Sequence, residues 1–268
     1  MRSLIQNSHL DGSDFTLEGL NDCCIVLVHG FTATTIEVRP LGEFLTSNGF
    51  NVLAPLLPGH NTHPDDLNKR KWKEWTNKVE SVTKIALEKY RNVFVGGESM
   101  GGLLSCYIAS NHPEVSGLLL YSPAIRVKNL ELMYFLKYFK SYIGKPSLYI
   151  DDKDIHDVLP WKGYKVNPTK AAVQLLKLQK EVESRLPSIH QPTIIFQGKL
   201  DKTIDQKGAS TVYSKINSKI KKLIWLDESN HCVLLDKEYS FVFSESLKFI
   251  KFVLSQKQKI STDSLGYN

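Results

Sequence analysis

The sequence predicts an α/β fold, a mostly parallel central sheet with helices on both faces and a helical cap inserted over one end. Three observations carry that prediction. Short β-branched runs alternate with amphipathic helical segments along most of the chain. One of those runs enters a Gly-x-Ser-x-Gly turn that opens a helix. Between Ile125 and Leu186 the alternation stops, which divides the chain into a core of residues 1–124 and 187–268 and an insertion of residues 125–186.

Met1 to Asp22 is polar, with one weak alternation at Phe15 to Leu17 suited to an edge strand. Cys23 to Val28 is apolar throughout, as a strand covered on both faces must be, and runs into His29-Gly30-Phe31-Thr32. Open α/β sheets bind ligands outside the carboxyl ends of their strands, so a backbone N–H of this turn, Phe31's in particular, can face a site. His29, fixed directly after a strand, suits orientation better than proton transfer. Pro40 near the start and Gly49 past the end bound a helix over Glu37 to Ser47, and Asn51 to Ala54 is the next strand. His60 and His63 have H-x-x-H spacing but no glutamate or cysteine beside them, which argues against a metal centre. Trp72, Trp75, Val79, Val82 and Ala86 share one helical face between Lys71 and Lys89, so the tryptophans read as core residues.

Val93 to Val95 is a short buried strand, and the residues after Ser99 are small or helix-forming as far as His112-Pro113. Gly97, Ser99 and Gly101 therefore form a nucleophile elbow. A residue at the apex of such a turn takes a strained backbone, and strand and helix approach too closely there for a Cβ on either side. Gly117 to Leu120 is a further buried strand. The insertion is rich in aromatics, is apolar around most of the circumference from Leu130 to Ile143, and carries an acidic loop at Asp151 to Asp157. Ala172, Leu175, Leu176, Leu178 and Val182 mark its returning helix. Strands at Thr193 to Phe196 and Lys222 to Leu226, a helix from Gln206 to Ile216 and a last helix from Ser240 to Leu254 complete the core, with Gln256 to Asn268 expected as a frayed tail.

The composition sets limits on function. The 268 residues, 42% hydrophobic and 23% charged, suit one large globular domain, and the net charge of +6 comes from scattered lysines without a basic run. Nucleic acid is not an expected partner. Cys23, Cys24, Cys106 and Cys232 lack C-x-x-C spacing and are expected to be reduced thiols. Met1 to Asp14 has no apolar stretch of signal-peptide length, and no run of about 18 apolar residues occurs, so a cytoplasmic protein without a transmembrane segment is expected.

A serine hydroxyl becomes a nucleophile only when a base takes its proton, and a histidine base needs a carboxylate to hold its tautomer. His9 lies in the polar N-terminus, His112 at a helix end, His156 in the insertion and His190 before a strand. His231 follows the last strand at its carboxyl end, on the Ser99 side. Asp201 and Asp205 both follow the preceding strand; Asp201 is closer to the strand end, and Asp205 could instead cap the next helix.

Together these residues resemble the bacterial carboxylesterase and monoacylglycerol lipase group of capped α/β-hydrolases. The matching segments are His29-Gly30-Phe31-Thr32, Glu37-Val38-Arg39-Pro40-Leu41, Leu57-Pro58-Gly59-His60, the elbow, and Gly198 through Asp201 with His231 beyond. The resemblance spans nearly the whole chain and is weakest in the cap and at the two ends. It implies the α/β-hydrolase fold, Ser99 as nucleophile, Asp201 and His231 as its partners, and the Phe31 and Met100 amides as oxyanion hole. Two positions depart from the group's pattern. Asn61 stands where glycine is usual, which the left-handed region tolerates, and Glu98 stands where an apolar residue is common and is expected to be solvated.

The expected activity is hydrolysis of a small-molecule carboxylic ester through an acyl-enzyme, on short to medium acyl chains including monoacylglycerols, without cofactor or metal. Met133, Phe135, Leu136 and Phe139 are expected to line the acyl pocket under the cap. The same triad could serve a thioester or a peptide bond. A non-catalytic ligand-binding role is disfavoured because every triad member is present.

Overall fold

The computed structural model describes residues 4–145 and 159–265; the acidic loop at Asp151 to Asp157 lies outside them. Seven strands form the central sheet: β1 (Phe15–Leu17), β2 (Cys23–Val28), β3 (Asn51–Ala54), β4 (Asn92–Glu98), β5 (Gly117–Tyr121), β6 (Thr193–Gly198) and β7 (Lys221–Leu226). Their spatial order is β7-β6-β5-β4-β2-β3-β1, parallel throughout except for antiparallel β1 at the edge. Because successive side chains of a strand point to opposite faces, β2 sends Cys24, Val26 and Val28 to one side and Cys23, Ile25 and Leu27 to the other.

Each face is then closed by helices. Helix α1 (Arg39–Ser47) and helix α6 (Tyr239–Leu265) cover the face of Ile25, Phe94 and Leu119. Helix α2 (Trp72–Lys89), helix α3 (Met100–Asn111), helix α4 (Thr169–Arg185) and helix α5 (Lys207–Lys215) cover the face of Val26, Val95 and Leu118. Full burial of one such aliphatic side chain is worth about 1.5–3 kcal/mol, so these two layers supply the rigid frame that fixes the strand ends. Helix α6 outruns its expected end at Leu254. No glycine or proline interrupts the chain from Ser240 to Leu265, and Lys257 donates to the Ser116 hydroxyl at 2.7 Å.

The described residues of the insertion are less helical than expected. Its returning helix is α4, but the apolar stretch from Leu130 forms a 3-10 turn (Leu130–Leu132), one α turn (Met133–Leu136) and then a strand at Tyr142–Gly144. That strand pairs antiparallel with Val166–Pro168, and Gly163–Tyr164 pairs with Ile5–Gln6. Asn129 at φ 58° breaks the helical path before the 3-10 turn, so Leu130 reaches the core and Met133 and Tyr134 pack on it, while the opposite side of the stretch faces out.

Candidate active site

Ser99 joins β4 to α3 with φ 56° and ψ −111°, a conformation a non-glycine residue holds only when its surroundings impose it. They do. The Ser99 N–H donates to the Tyr121 carbonyl on β5 at 2.8 Å, and a Cβ at either Gly97 or Gly101 would overlap the Val28 carbonyl at the end of β2. The two glycines are thus required by the approach of α3 to β2, and the turn lifts the Ser99 hydroxyl beyond the strand ends.

Ser99 Oγ lies 2.9 Å from His231 Nε2, and His231 Nδ1 lies 2.8 Å from Asp201 Oδ2. A carboxylate can only accept, so Nδ1 carries the proton and Nε2 is left to accept from the serine hydroxyl. Asp201 is itself fixed: Oδ1 accepts from the Thr203 and Ile204 amides at 2.8 and 2.9 Å, and Oδ2 also accepts from Gln197 Nε2 at 2.9 Å. Burial alone would push the Asp201 carboxyl up, but the His231 ring, the Ile204 amide and Gln197 more than offset it and hold the group below the usual carboxylate range. Asp205 accepts from the Lys207 amide at 3.0 Å at the start of α5, so the capping role falls to Asp205 and the histidine partner is Asp201. The loops of Asp201 and His231 touch because Gly198 has no side chain: a Cβ there would meet the Ser229 and Asn230 carbonyls.

Beside the serine, the turn after β2 closes through Ala33 N–H to the Gly30 carbonyl at 3.3 Å, with Thr32 at φ 64°. Among the described residues the Phe31 N–H makes no hydrogen bond, and Met100, first residue of α3, carries one of the orphan amides of a helix N-terminus. These are the two donors the sequence points to. His29 donates from Nδ1 to the Gly30 carbonyl at 2.9 Å and accepts at Nε2 from the Leu57 amide at 3.1 Å, and burial lowers its pKa to about 4. It is a neutral bracket between two loops. Asn61 takes the left-handed conformation at φ 56°, as its chemistry allows.

Two expectations are corrected. Phe135 and Phe139 are 76% and 82% exposed, because the α turn Met133–Leu136 presents only Met133 and Tyr134 to the core and the turn after it leaves Phe139 outside; they do not line an enclosed acyl pocket. Leu136 is half-buried, as is Met133. Glu98, expected in solvent, is completely buried, since the last residue of β4 lies beneath the loop that carries His231. Sequence reasoning also passed over Gln197 and Glu37. An apolar strand ending in glutamine before Gly198 was the available signal for the first, whereas Glu37 stood in the segment Glu37-Val38-Arg39-Pro40-Leu41 with nothing local to mark its role.

The four cysteines are free and buried, and among the described residues no helix is long and apolar enough to cross a membrane. In sequence, the chain is 29% identical to the thermostable monoacylglycerol lipase of Bacillus sp. (strain H-257) over 233 residues, covering 84% of this chain and 89% of that one. It is 27% identical to the carboxylesterase of Bacillus subtilis (strain 168) over 245 residues, covering 88% and 95%. In structure, it superposes with a TM-score of 0.82 on a chain from the metagenome-derived lipolytic enzymes LipS and LipT, at 26% identity and with 90% and 97% coverage. The monoacylglycerol lipase of Paleococcus ferrophilus shares the fold at a TM-score of 0.72 and 19% identity, over 92% and 99% of the two chains. Residues 21–238 match the family described as serine aminopeptidase S33, Hydrolase_4. With its parallel sheet, its elbow and a match over most of its length, the chain belongs to that family and has the α/β-hydrolase fold.

Proposed function

We propose that the chain hydrolyses carboxylic esters through an acyl-enzyme on Ser99. The observation that carries this reading is the unbroken hydrogen-bond chain Ser99–His231–Asp201 beyond the carboxyl ends of β4, β6 and β7. Ser99 Oγ attacks the ester carbonyl carbon while His231 Nε2 takes its proton; the carbonyl oxygen becomes an oxyanion between the Phe31 and Met100 amides. Collapse of that intermediate breaks the carbon–oxygen bond of the ester, and His231 returns its proton to the departing alcohol. Water then attacks the acyl-enzyme, giving its proton to His231, and the acid and free Ser99 are released with that proton back on the serine. Asp201 stays ionised throughout and holds the imidazole in the required tautomer.

The proposed substrates are short to medium acyl esters, monoacylglycerols among them, with a small alcohol leaving. Sequence likeness to a monoacylglycerol lipase and a carboxylesterase along nearly their full lengths supports this class over peptides. Residues 125–186 are proposed as a cap over the site on a core of residues 1–124 and 187–268, supported by contacts from the insertion to the loops around Ser99. Tyr164 donates to the Gly59 carbonyl at 2.8 Å and Trp161 to Glu37 at 3.0 Å. A cytoplasmic location fits four buried thiols without a disulfide. The test is turnover of nitrophenyl esters and monoacylglycerols of graded length, with thioester and amide analogues alongside. Faster turnover of the amide than of the matched ester overturns the ester reading.

A further inference from the structure

Two buried carboxyl groups lie behind the triad and take no part in the steps above. Glu37 sits in the 3-10 turn that precedes α1, and Glu98 is the immediate neighbour of Ser99. Glu37 is a junction of three segments. Its Oε2 accepts from the Gly30 N–H at 2.5 Å, and its Oε1 accepts from the Trp161 indole at 3.0 Å and from the Cys232 thiol at 3.5 Å. Gly30 precedes the oxyanion donor Phe31, and Cys232 follows His231. The packing leaves no slack, since a Cβ on Gly30 would stand 3.0 Å from Glu37 Oε2 and 3.3 Å from Ser99 Cβ.

Glu98 has the opposite surroundings. Its Oε2 accepts from the Leu234 amide at 3.2 Å, three residues beyond His231, and its Oε1 is buried with no hydrogen-bond partner among the described residues. Three donors converging on Glu37 suit a carboxylate, which can only accept. A fully buried oxygen that accepts no hydrogen bond from the described residues suits the neutral acid, because burial disfavours the anion. Glu98 faces Glu37, Asp201, the Tyr121 phenol and the Cys232 thiol, and Glu37 faces His231, Cys232 and the Lys145 ammonium. Burial and the neighbouring Glu37 push the Glu98 carboxyl well above the usual range.

We infer that Glu37 and Glu98 are the positioning pair of this site: the Glu37 carboxylate sets the Gly30–Phe31 backbone against the His231–Cys232 loop, and the neutral Glu98 carboxyl holds that loop through Leu234. The inference rests on the Ser99 reading proposed above. Removing the Glu98 proton at alkaline pH places a second anion beside Glu37 and Asp201 and displaces the loop, so turnover falls there while substrate binding is little altered.

The experiment measures kcat and KM of a short-chain nitrophenyl ester against pH, with melting temperatures, and labels Ser99 with a fluorophosphonate in parallel. Wild type shows an alkaline fall in kcat. Glu98→Ala lowers kcat about tenfold at neutral pH, and Glu98→Gln, a permanently neutral isostere, restores it and removes the alkaline fall. Glu37→Gln turns an N–H toward one set of donors and lowers kcat about 10- to 100-fold with little change in KM, less than the ~10²–10³ of losing an oxyanion donor outright. Lys145→Gln keeps the alkaline fall, which separates Glu98 from the lysine, whose burial lowers its pKa to about 8. An alkaline fall that is absent in wild type, persists in Glu98→Gln or disappears in Lys145→Gln overturns the pair. If Glu37→Gln does not fold, the Glu98 and Lys145 variants still decide. Failure of the fluorophosphonate to label Ser99 in wild type would instead overturn the nucleophile assignment.

Discussion

Around Ser99 each functional group is held by a strand end and by at least one further element, whereas the insertion divides its apolar residues between core and solvent. Asp201 is tied to β6 through Gln197, to the following turn through two amides, and to the His231 loop. In the insertion Leu130 and Tyr164 are buried, but Leu132, Phe135, Tyr138 and Phe139 stand outward. The difference lies in what each region rests on. Strand ends inherit the rigidity of a sheet packed on both faces, so a donor and its acceptor stay in place without a ligand. A segment attached by short strands and a few side-chain bonds keeps only those contacts that reach the core.

Six substitutions sharpen that contrast, and the first carries the largest effect. Ser99→Ala is expected to lower kcat by about 10⁶ with the fold intact, since the group removed forms the acyl bond. A purified variant retaining a tenth of wild-type turnover would put the nucleophile elsewhere. Asp201→Asn is next, at about 10⁴ in kcat, because an amide no longer selects the Nδ1–H tautomer of His231. Asp205→Asn, at the neighbouring helix start, should stay within a few-fold of wild type, and the reverse ranking in one assay breaks the assignment.

The same aspartate has a signature in stability. Its folded pKa lies below the unfolded value, so it contributes stability that is present above the unfolded pKa, near 3.8, and is lost as pH falls through the lower folded value. Denaturant midpoints measured across that acid range should decline less steeply in Asp201→Asn than in wild type; parallel curves would mean that the carboxylate is not stabilised by His231. Tyr164→Phe reads the attachment of the insertion. It removes the bonds to the Gly59 carbonyl at 2.8 Å and the Thr62 amide at 3.0 Å and should cost about 1–2 kcal/mol in chemical unfolding. A null effect there would mean the insertion is held by packing alone.

Phe135→Ala and Phe139→Ala close the series. Both side chains are exposed, so stability should change by no more than about 0.5 kcal/mol and the acyl-chain-length profile should keep its optimum. A shifted optimum in either variant would bring that stretch back into the acyl pocket.

What the sequence determined by itself was whatever depends on short-range backbone preference and chain order. Short, continuously apolar runs placed the parallel strands. Gly97 and Gly101 announced a turn that only such a close approach requires, and the positions of Ser99, Asp201 and His231, each just past the carboxyl end of a parallel strand, placed the three side chains on one edge of the sheet. Asn61 could be assigned to the left-handed region because its own side chain favours it. Only the tertiary structure decided the environment of Glu37 and Glu98, the outward direction of Phe135 and Phe139, and the strands inside the insertion. The reason is one of distance along the chain. Glu37 meets Trp161 across 124 positions and Glu98 meets Leu234 across 136, so whether those carboxyls are solvated, ionised or hydrogen-bonded is set by residues that no local pattern around them contains.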